Sequence, residues 1–234
     1  MGAVGLARTV IGIIGNITSF FLFTSPWPTM YRILEKKSVE EFKPDPYLAG
    51  AMNCIFWIFY GLPIVHPHST LVVTINSIGL ALQLGYLAIF FTYGDKKLRI
   101  KIMLVLLVEL IVFAAIASVA LLKFHAHNPR INFVGAFCVF FGIILYSSPL
   151  TIMKKVIQTK SVEFMPFWLS FAAWSNGVVW SAYAFIGGID YYILTGNGVG
   201  ALLATAQLIL YVMYRKSTPR KDESKPTEVQ LSNV

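Results

Sequence analysis

An all-α integral membrane protein is what the sequence predicts: seven transmembrane helices, arranged as two parallel three-helix bundles joined by one linker helix (3+1+3). Three observations carry this. The 234 residues are 56% hydrophobic and only 13% charged, with a mean hydropathy of +0.68, too apolar for a surface that faces water. Seven mostly apolar runs approach the roughly 20 residues that a helix needs to cross a bilayer. A pattern of residues in the first part of the chain also recurs in the last part.

The runs are taken in order. Residues 4–30 form the first, with Ser25-Pro26 near its end. No basic segment precedes it and no small-residue cleavage site follows, so it is expected to stay in the mature fold rather than act as a signal peptide. Residues 46–63 begin at Pro46, a residue suited to a helix start because its missing N–H costs little there. Residues 70–93 complete the first bundle, and 101–123 make the lone linker span. The second bundle then follows as 131–153, 166–187 (opening at Pro166) and 190–214. Residues 215–234 are polar and poor in apolar side chains, and are expected to be a disordered cytosolic tail. The division expected is therefore 1–97 first repeat, 98–128 linker helix, 129–214 second repeat and 215–234 tail.

Basic residues give the orientation, because short cytosolic loops collect Lys and Arg. Sixteen of the 19 lie in the first, third and fifth connections and the tail, leaving Arg8, Lys123 and Arg130 opposite. The N-terminus is thus expected outside the cytosol and the C-terminus within it. This bias, with the anionic headgroups of the cytosolic leaflet, accounts for the net charge of +8 without nucleic acid. Cys54 and Cys138 lie inside apolar runs, so neither a disulfide framework nor a zinc site is expected. His66, His68, His125 and His127 fall in predicted outer loops and make a weak metal signal; no metal or cofactor is expected.

The repeat is the informative feature. SPWPTM from Ser25 and SPLTIM from Ser148 lie 123 residues apart, as do Lys37-Ser38-Val39-Glu40 and Lys160-Ser161-Val162-Glu163. Asn53, Trp57 and Tyr60 correspond in the same way to Asn176, Trp180 and Tyr183. Thr74-Ile75-Asn76 through Gly79 matches Thr195-Gly196-Asn197 through Gly200 at an offset of 121. One span between two three-helix units restores the starting side, so the repeats are parallel. Such repeats carry transporter sites between their halves near mid-membrane.

Asn53, Trp57 and Tyr60 share one face of the second run, and Asn176, Trp180 and Tyr183 repeat that stripe on the sixth. Asn76 and Asn197 sit in the middle of the third run of each half. Polar side chains at that depth are costly unless they meet a partner or a watery cavity. An amide both donates and accepts, and an indole presents a broad apolar face. The same residues could instead tie helices together and fill a core.

The three-one-three arrangement, the repeated Pro-x3-Met-x6-Lys-Ser-Val-Glu pattern, the Trp-x-x-Tyr-Gly at 57–61 and the paired Asn-x-x-Gly resemble the plant SWEET (MtN3/saliva) sugar transporters, over about residues 1–215. The resemblance implies a bidirectional facilitative sugar uniporter working by alternating access, and no enzyme. It implies that Asn76, Asn197, Trp57 and Trp180 hold the sugar and that Leu22, Asn53, Leu145 and Asn176 line the pocket. Because Leu and Asn are larger than Val and Ser, a glucose-like monosaccharide is expected over sucrose. Pro26, Pro46, Pro149 and Pro166 are implied as hinges, and Tyr60 with Asp190 as an outer gate; Asp190 alone reads equally as a helix N-cap. The expected partners are the sugar and the lipid bilayer of a plasma or vacuolar membrane. One chain completes a pathway, and homo- or hetero-oligomers are compatible with it.

Proton-driven transporters place acidic or His residues in the membrane. Here Glu109 is the clear embedded acid, and it lies in the linker span rather than in a repeat, which favours facilitated diffusion. A seven-helix receptor or scaffold without transport activity is the alternative, although its Asp-Arg-Tyr and Asn-Pro-x-x-Tyr patterns are missing and it would not predict a repeat.

Overall fold

The computed structural model describes residues 2–218, so the predicted tail lies outside the described residues from 219 onward. Those described form nine helical segments: α1 (Ala3–Thr24), α2 (Trp27–Lys36), α3 (Asp45–Gly61), α4 (Thr70–Tyr93), α5 (Lys96–Lys123), α6 (His127–Leu145), α7 (Ser147–Thr159), α8 (Phe167–Phe185) and α9 (Tyr191–Tyr214). Two adjacent pairs are single rods with a break. Ala3–Lys36 is interrupted at Ser25 and Pro26, and His127–Thr159 at Tyr146. Seven rods therefore remain, five of them long and apolar enough to cross a membrane by length and composition alone. The other two belong to the wall between the halves: α3 is only 17 residues long, and in α8 Ser170, Ser175 and Asn176 interrupt the apolar run.

The breaks follow from proline. Pro26 has no N–H for the Leu22 carbonyl, and that oxygen accepts from the Ser25 N–H (3.2 Å) and Ser25 Oγ (2.7 Å) instead. Pro149 lies in the first turn of α7, just past the break at Tyr146. Each rod ends on a left-handed lysine, Lys37 (φ 51°) or Lys160 (φ 54°). The serine that follows accepts from the N–H of the glutamate two residues on, Glu40 to Ser38 Oγ (3.2 Å) and Glu163 to Ser161 Oγ (3.3 Å). Val39 and Val162 then turn inward against Met30 with Ile33 and Val156 with Met165. The repeated Lys-Ser-Val-Glu is thus a helix stop, a side-chain turn and a plug.

Packing closes a ring. Helix α1 contacts α4, α4 contacts α3, α3 contacts α6, α6 contacts α9, α9 contacts α8, and α8 returns to α1. A two-fold operation that exchanges α1 with α6, α3 with α8 and α4 with α9 maps this ring onto itself, as parallel repeats about a membrane-normal axis require. The linker helix α5 lies outside the ring against α3, α4 and α6. Ile102 and Ala120 are its buried residues, and Leu104, Leu107, Val108, Leu110 and Ile111 stay exposed, ready for lipid.

Aromatic rings weld α3 to its neighbours. Phe56 stacks on Phe141 of α6 (4.8 Å between centroids) and meets Phe113 of α5 edge-on (5.4 Å). Close approach elsewhere depends on small residues. A side-chain carbon at Gly177 would lie 2.9 Å from the backbone of Asn197 and Ala201, so this glycine sets the α8–α9 spacing.

Candidate functional site

Two cavities meet inside the ring. The central one, about 150 Å³, is lined by Ser19, Phe23, Asn53, Trp57, Val72, Ile75, Asn76, Asn176, Trp180, Ile193 and Asn197. Six of the eight residues expected to hold the sugar or line its pocket are therefore around one space: Asn53, Trp57, Asn76, Asn176, Trp180 and Asn197. Asn176 and Asn197 also border a second cavity of about 330 Å³, which runs between α8, α9 and the α6–α7 break toward Pro166 and Gln207. Leu22 lines this vestibule rather than the central cavity. Leu145 ends α6 and is on the wall of neither.

The amides are held in matched ways. Asn76 Nδ2 donates to the Val72 carbonyl (2.9 Å) and Asn197 Nδ2 to the Ile193 carbonyl (3.0 Å), each one turn back on its own helix. That anchors one donor and leaves the carbonyl oxygen and the second amide hydrogen for a ligand. Asn176 is held differently: its Oδ1 accepts from Thr18 Oγ1 (2.9 Å) and Ser19 Oγ (2.7 Å), so its amide hydrogens remain. Trp180 Nε1 donates to the same Ser19 Oγ (2.9 Å), which ties the indole, the hydroxyl and the amide into one chain across the α1–α8 contact. Gly15 makes room for that indole, since a side-chain carbon there would lie 2.9 Å from it.

On the face where α1 begins, the ring is shut. The buried Tyr60 hydroxyl donates to Asp190 Oδ1 (2.8 Å), and the same oxygen caps α9 by accepting from the Tyr192 (3.1 Å) and Ile193 (3.0 Å) N–H groups. One carboxylate oxygen thus both meets Tyr60 and serves as the N-cap of α9. His66 Nδ1 is 3.7 Å from Asp190 Oδ2 and 2.5 Å from Ser69 Oγ. Burial holds the His66 ring below its usual pKa against the pull of Asp190, with Arg8, His68 and His127 pushing the same way as burial. Across the ring the Arg8 guanidinium lies over Tyr183 at 4.6 Å. At the opposite face the vestibule continues past Met165 and Pro166. Tyr146 stands in its wall, with its hydroxyl donating to the Gly196 carbonyl.

The four prolines fall into two kinds. Pro26 and Pro149 are at the rod breaks, whereas Pro46 and Pro166 occupy helix starts. Glu109 faces a groove between α3, α5 and α6 that is mostly apolar and separate from the central cavity.

Sequence reasoning passed over Thr18, Ser19 and His66 in these roles. The hydroxyls went unnoticed because the repeat aligns Thr18-Ser19 with Phe141-Gly142, and comparing the halves rewards identity. The sequence groups His66 with the other loop histidines, which together make only a weak metal signal.

The family described as "Sugar efflux transporter for intercellular exchange" (MtN3_slv) matches residues 9–98 and 132–219, one stretch per repeat. A bidirectional sugar transporter of Arabidopsis thaliana, SWEET4, is 52% identical over 98% of this chain and 91% of its own length. A rice (Oryza sativa subsp. indica) relative, SWEET7b, is 52% identical over 93% of this chain and 82% of its own. The solved structure of a eukaryotic SWEET transporter superposes with a TM-score of 0.87 at 36% identity, covering 91% of this chain and 99% of that one. The chain therefore belongs to the SWEET (MtN3/saliva) family of membrane transporters.

Proposed function

We propose that this protein is a bidirectional facilitative sugar uniporter that prefers a glucose-like monosaccharide and works by alternating access. The observation that carries the reading is the central cavity, where Asn53, Trp57 and Asn76 of one repeat face Asn176, Trp180 and Asn197 of the other. Amides supply donors and acceptors for ring hydroxyls while the indoles cover the apolar faces. Asn76, Asn197, Trp57 and Trp180 hold the sugar; Asn53 and Asn176 bound the space open to it, Leu22 lines the vestibule beyond, and Leu145, on the wall of neither cavity, has no direct part. An engineered cavity of roughly 150 Å³ takes one benzene ring, so the matching volume of about 150 Å³ supports one sugar ring rather than two.

Alternating access accounts for the asymmetry between the faces. Tyr60 and Asp190 form the outer gate, closed here, while the vestibule leads from Asn176 and Asn197 to the other face. This is an inward-facing state, with the N-terminus outside the cytosol. Pro26 and Pro149, at the rod breaks, are the principal hinges; Pro46 and Pro166 let the loops pivot at helix starts. Residues 1–97 and 129–214 rock as two units about the linker 98–128, in a plasma or vacuolar membrane, with one chain sufficient for a pathway.

The test is uptake of labelled glucose and of sucrose into liposomes holding the purified protein, with and without a proton gradient. Gradient-independent glucose uptake that exceeds sucrose uptake supports the proposal. No flux of either sugar through well-folded protein would favour a receptor or scaffold role.

A further inference from the structure

The two-fold symmetry of the cavity is broken at one pair of positions. Asn176 Oδ1 is satisfied by Thr18 and Ser19 of α1, and Trp180 Nε1 by Ser19. At the repeat's own offset of 123 residues, Asn53 and Trp57 should meet residues 141 and 142 of α6. Those are Phe141 and Gly142, which carry no hydroxyl. Phe141 spends its ring on Phe56. The consequence is visible at Asn53, whose Oδ1 is buried with no hydrogen-bond partner among the described residues. The space beside it is open: a side-chain carbon at Gly142 would have Asn53 Oδ1, at 3.8 Å, as its sole neighbour within 4 Å.

A buried amide oxygen without a donor is costly, and the cost is relieved when a donor arrives. The terminal torsion of an asparagine is soft, so the amide can swing from its unmatched position toward the cavity it borders. A hydroxyl satisfies either end of that amide, because it both donates and accepts.

We propose that Gly142 is a specificity-determining residue. By withholding the hydroxyl that Ser19 gives to Asn176, it leaves the Asn53 amide unmatched within the protein and reserves it for one hydroxyl of the transported sugar. The first-repeat wall (Asn53, Trp57) then reads that hydroxyl, while the second-repeat wall (Asn176, Trp180) is held fixed by the protein itself. Gly142 does not touch the sugar; it acts through Asn53.

The inference rests on the sugar-transport reading, and its experiment separates the two. Transport kinetics are measured in liposomes for glucose and for each of its mono-deoxy analogues, with wild type, Gly142→Ser, Gly142→Ala and Asn53→Leu. In wild type, removal of one particular hydroxyl raises KM by roughly fivefold to tenfold, the worth of one hydrogen bond. Gly142→Ser places a hydroxyl within reach of Asn53, raises the glucose KM by about the same factor, and makes the protein indifferent to loss of that hydroxyl. Its melting temperature without sugar also rises, because the orphaned oxygen gains a donor. Gly142→Ala retains the wild-type deoxy pattern. Should Gly142→Ser fail to fold, Asn53→Leu carries the test, since it must lose the same deoxy sensitivity. Wild-type deoxy ratios that persist in either Gly142→Ser or Asn53→Leu would overturn this inference alone, whereas absence of glucose flux by wild type would remove the transport reading and this inference with it.

Discussion

Replacing Tyr60 with phenylalanine removes one hydroxyl from the closed face where α1 begins and little else. The ring stays packed between Trp57, His66 and Tyr192, and Asp190 Oδ1 keeps the Tyr192 and Ile193 N–H groups that cap α9. What is lost is a buried 2.8 Å hydrogen bond to a carboxylate. Bonds of that class are worth about 1.5–3 kcal/mol. In the open state water replaces the partner, so the loss falls on the closed state alone. The closed-to-open ratio should drop on the order of tenfold to a hundredfold. Spin labels at Ile64 and Ile189, both exposed on this face and in different repeats, would report it as growth of a longer-distance population by pulsed dipolar spectroscopy. Cys54 and Cys138 are buried, which keeps labelling at the introduced cysteines. A Tyr60→Phe distance distribution identical to wild type would refute the idea that this contact holds the gate.

Acidification should act at the same place. Burial beside Tyr60 and Asp190 keeps His66 below its ordinary pKa, while a solvated histidine sits near 6.5. Closure is therefore at full strength above about pH 6.5 and weakens as pH falls below it, because protonation favours the open, solvated ring. The same spin-label pair should show opening between pH 7.5 and 5.5 in wild type and no such dependence in His66→Ala. Substituting Leu22→Val, Asn53→Ser and Asn176→Ser together should raise the sucrose-to-glucose uptake ratio by about tenfold, as pocket methylenes commonly discriminate by that much. Leu145→Val should add little, since Leu145 lines neither cavity, and an equal gain from it alone would contradict the pocket described here. Gly177→Ala should destabilise the protein by about 1–3 kcal/mol, read as a lowered melting temperature in detergent, because the added methyl meets backbone rather than a movable side chain.

Much of the fold was legible because the bilayer imposes it. Apolar length marks a span without knowledge of its neighbours, and the linker helix, with mean hydropathy 2.8 over its most apolar window, is the clearest case. The internal repeat supplied the arrangement, since Asn76 with Asn197 and Trp57 with Trp180 could occupy equivalent places only around a two-fold axis. The rods' ends were less legible. The first run reads as stopping near residue 30, yet the rod continues to Lys36 because α2 is amphipathic and packs Met30 and Ile33 against α4 rather than lipid. Ser19 and Gly142 were hidden for the opposite reason: their meaning lies in a difference between the halves, and that difference matters only once α1 is against α8 and α6 against α3. The approach of His66 to Tyr60 and Asp190 depends on the loop between α3 and α4 folding back over Tyr60, which no periodicity encodes.

The central claim is that the cavity between the repeats is where the sugar passes. Asn76 and Asn197 test it most directly, because each is anchored to its own helix by one amide hydrogen and removal of the side chain leaves the i−4 helical backbone hydrogen bonds in place. Labelled glucose flux, down its gradient and without a proton gradient, should be measured in liposomes containing wild type or the Asn76→Ala, Asn197→Ala double variant at matched reconstitution. The account predicts flux in wild type and its loss in the double variant while the melting temperature stays close to wild type; wild-type rates in the folded double variant would contradict it.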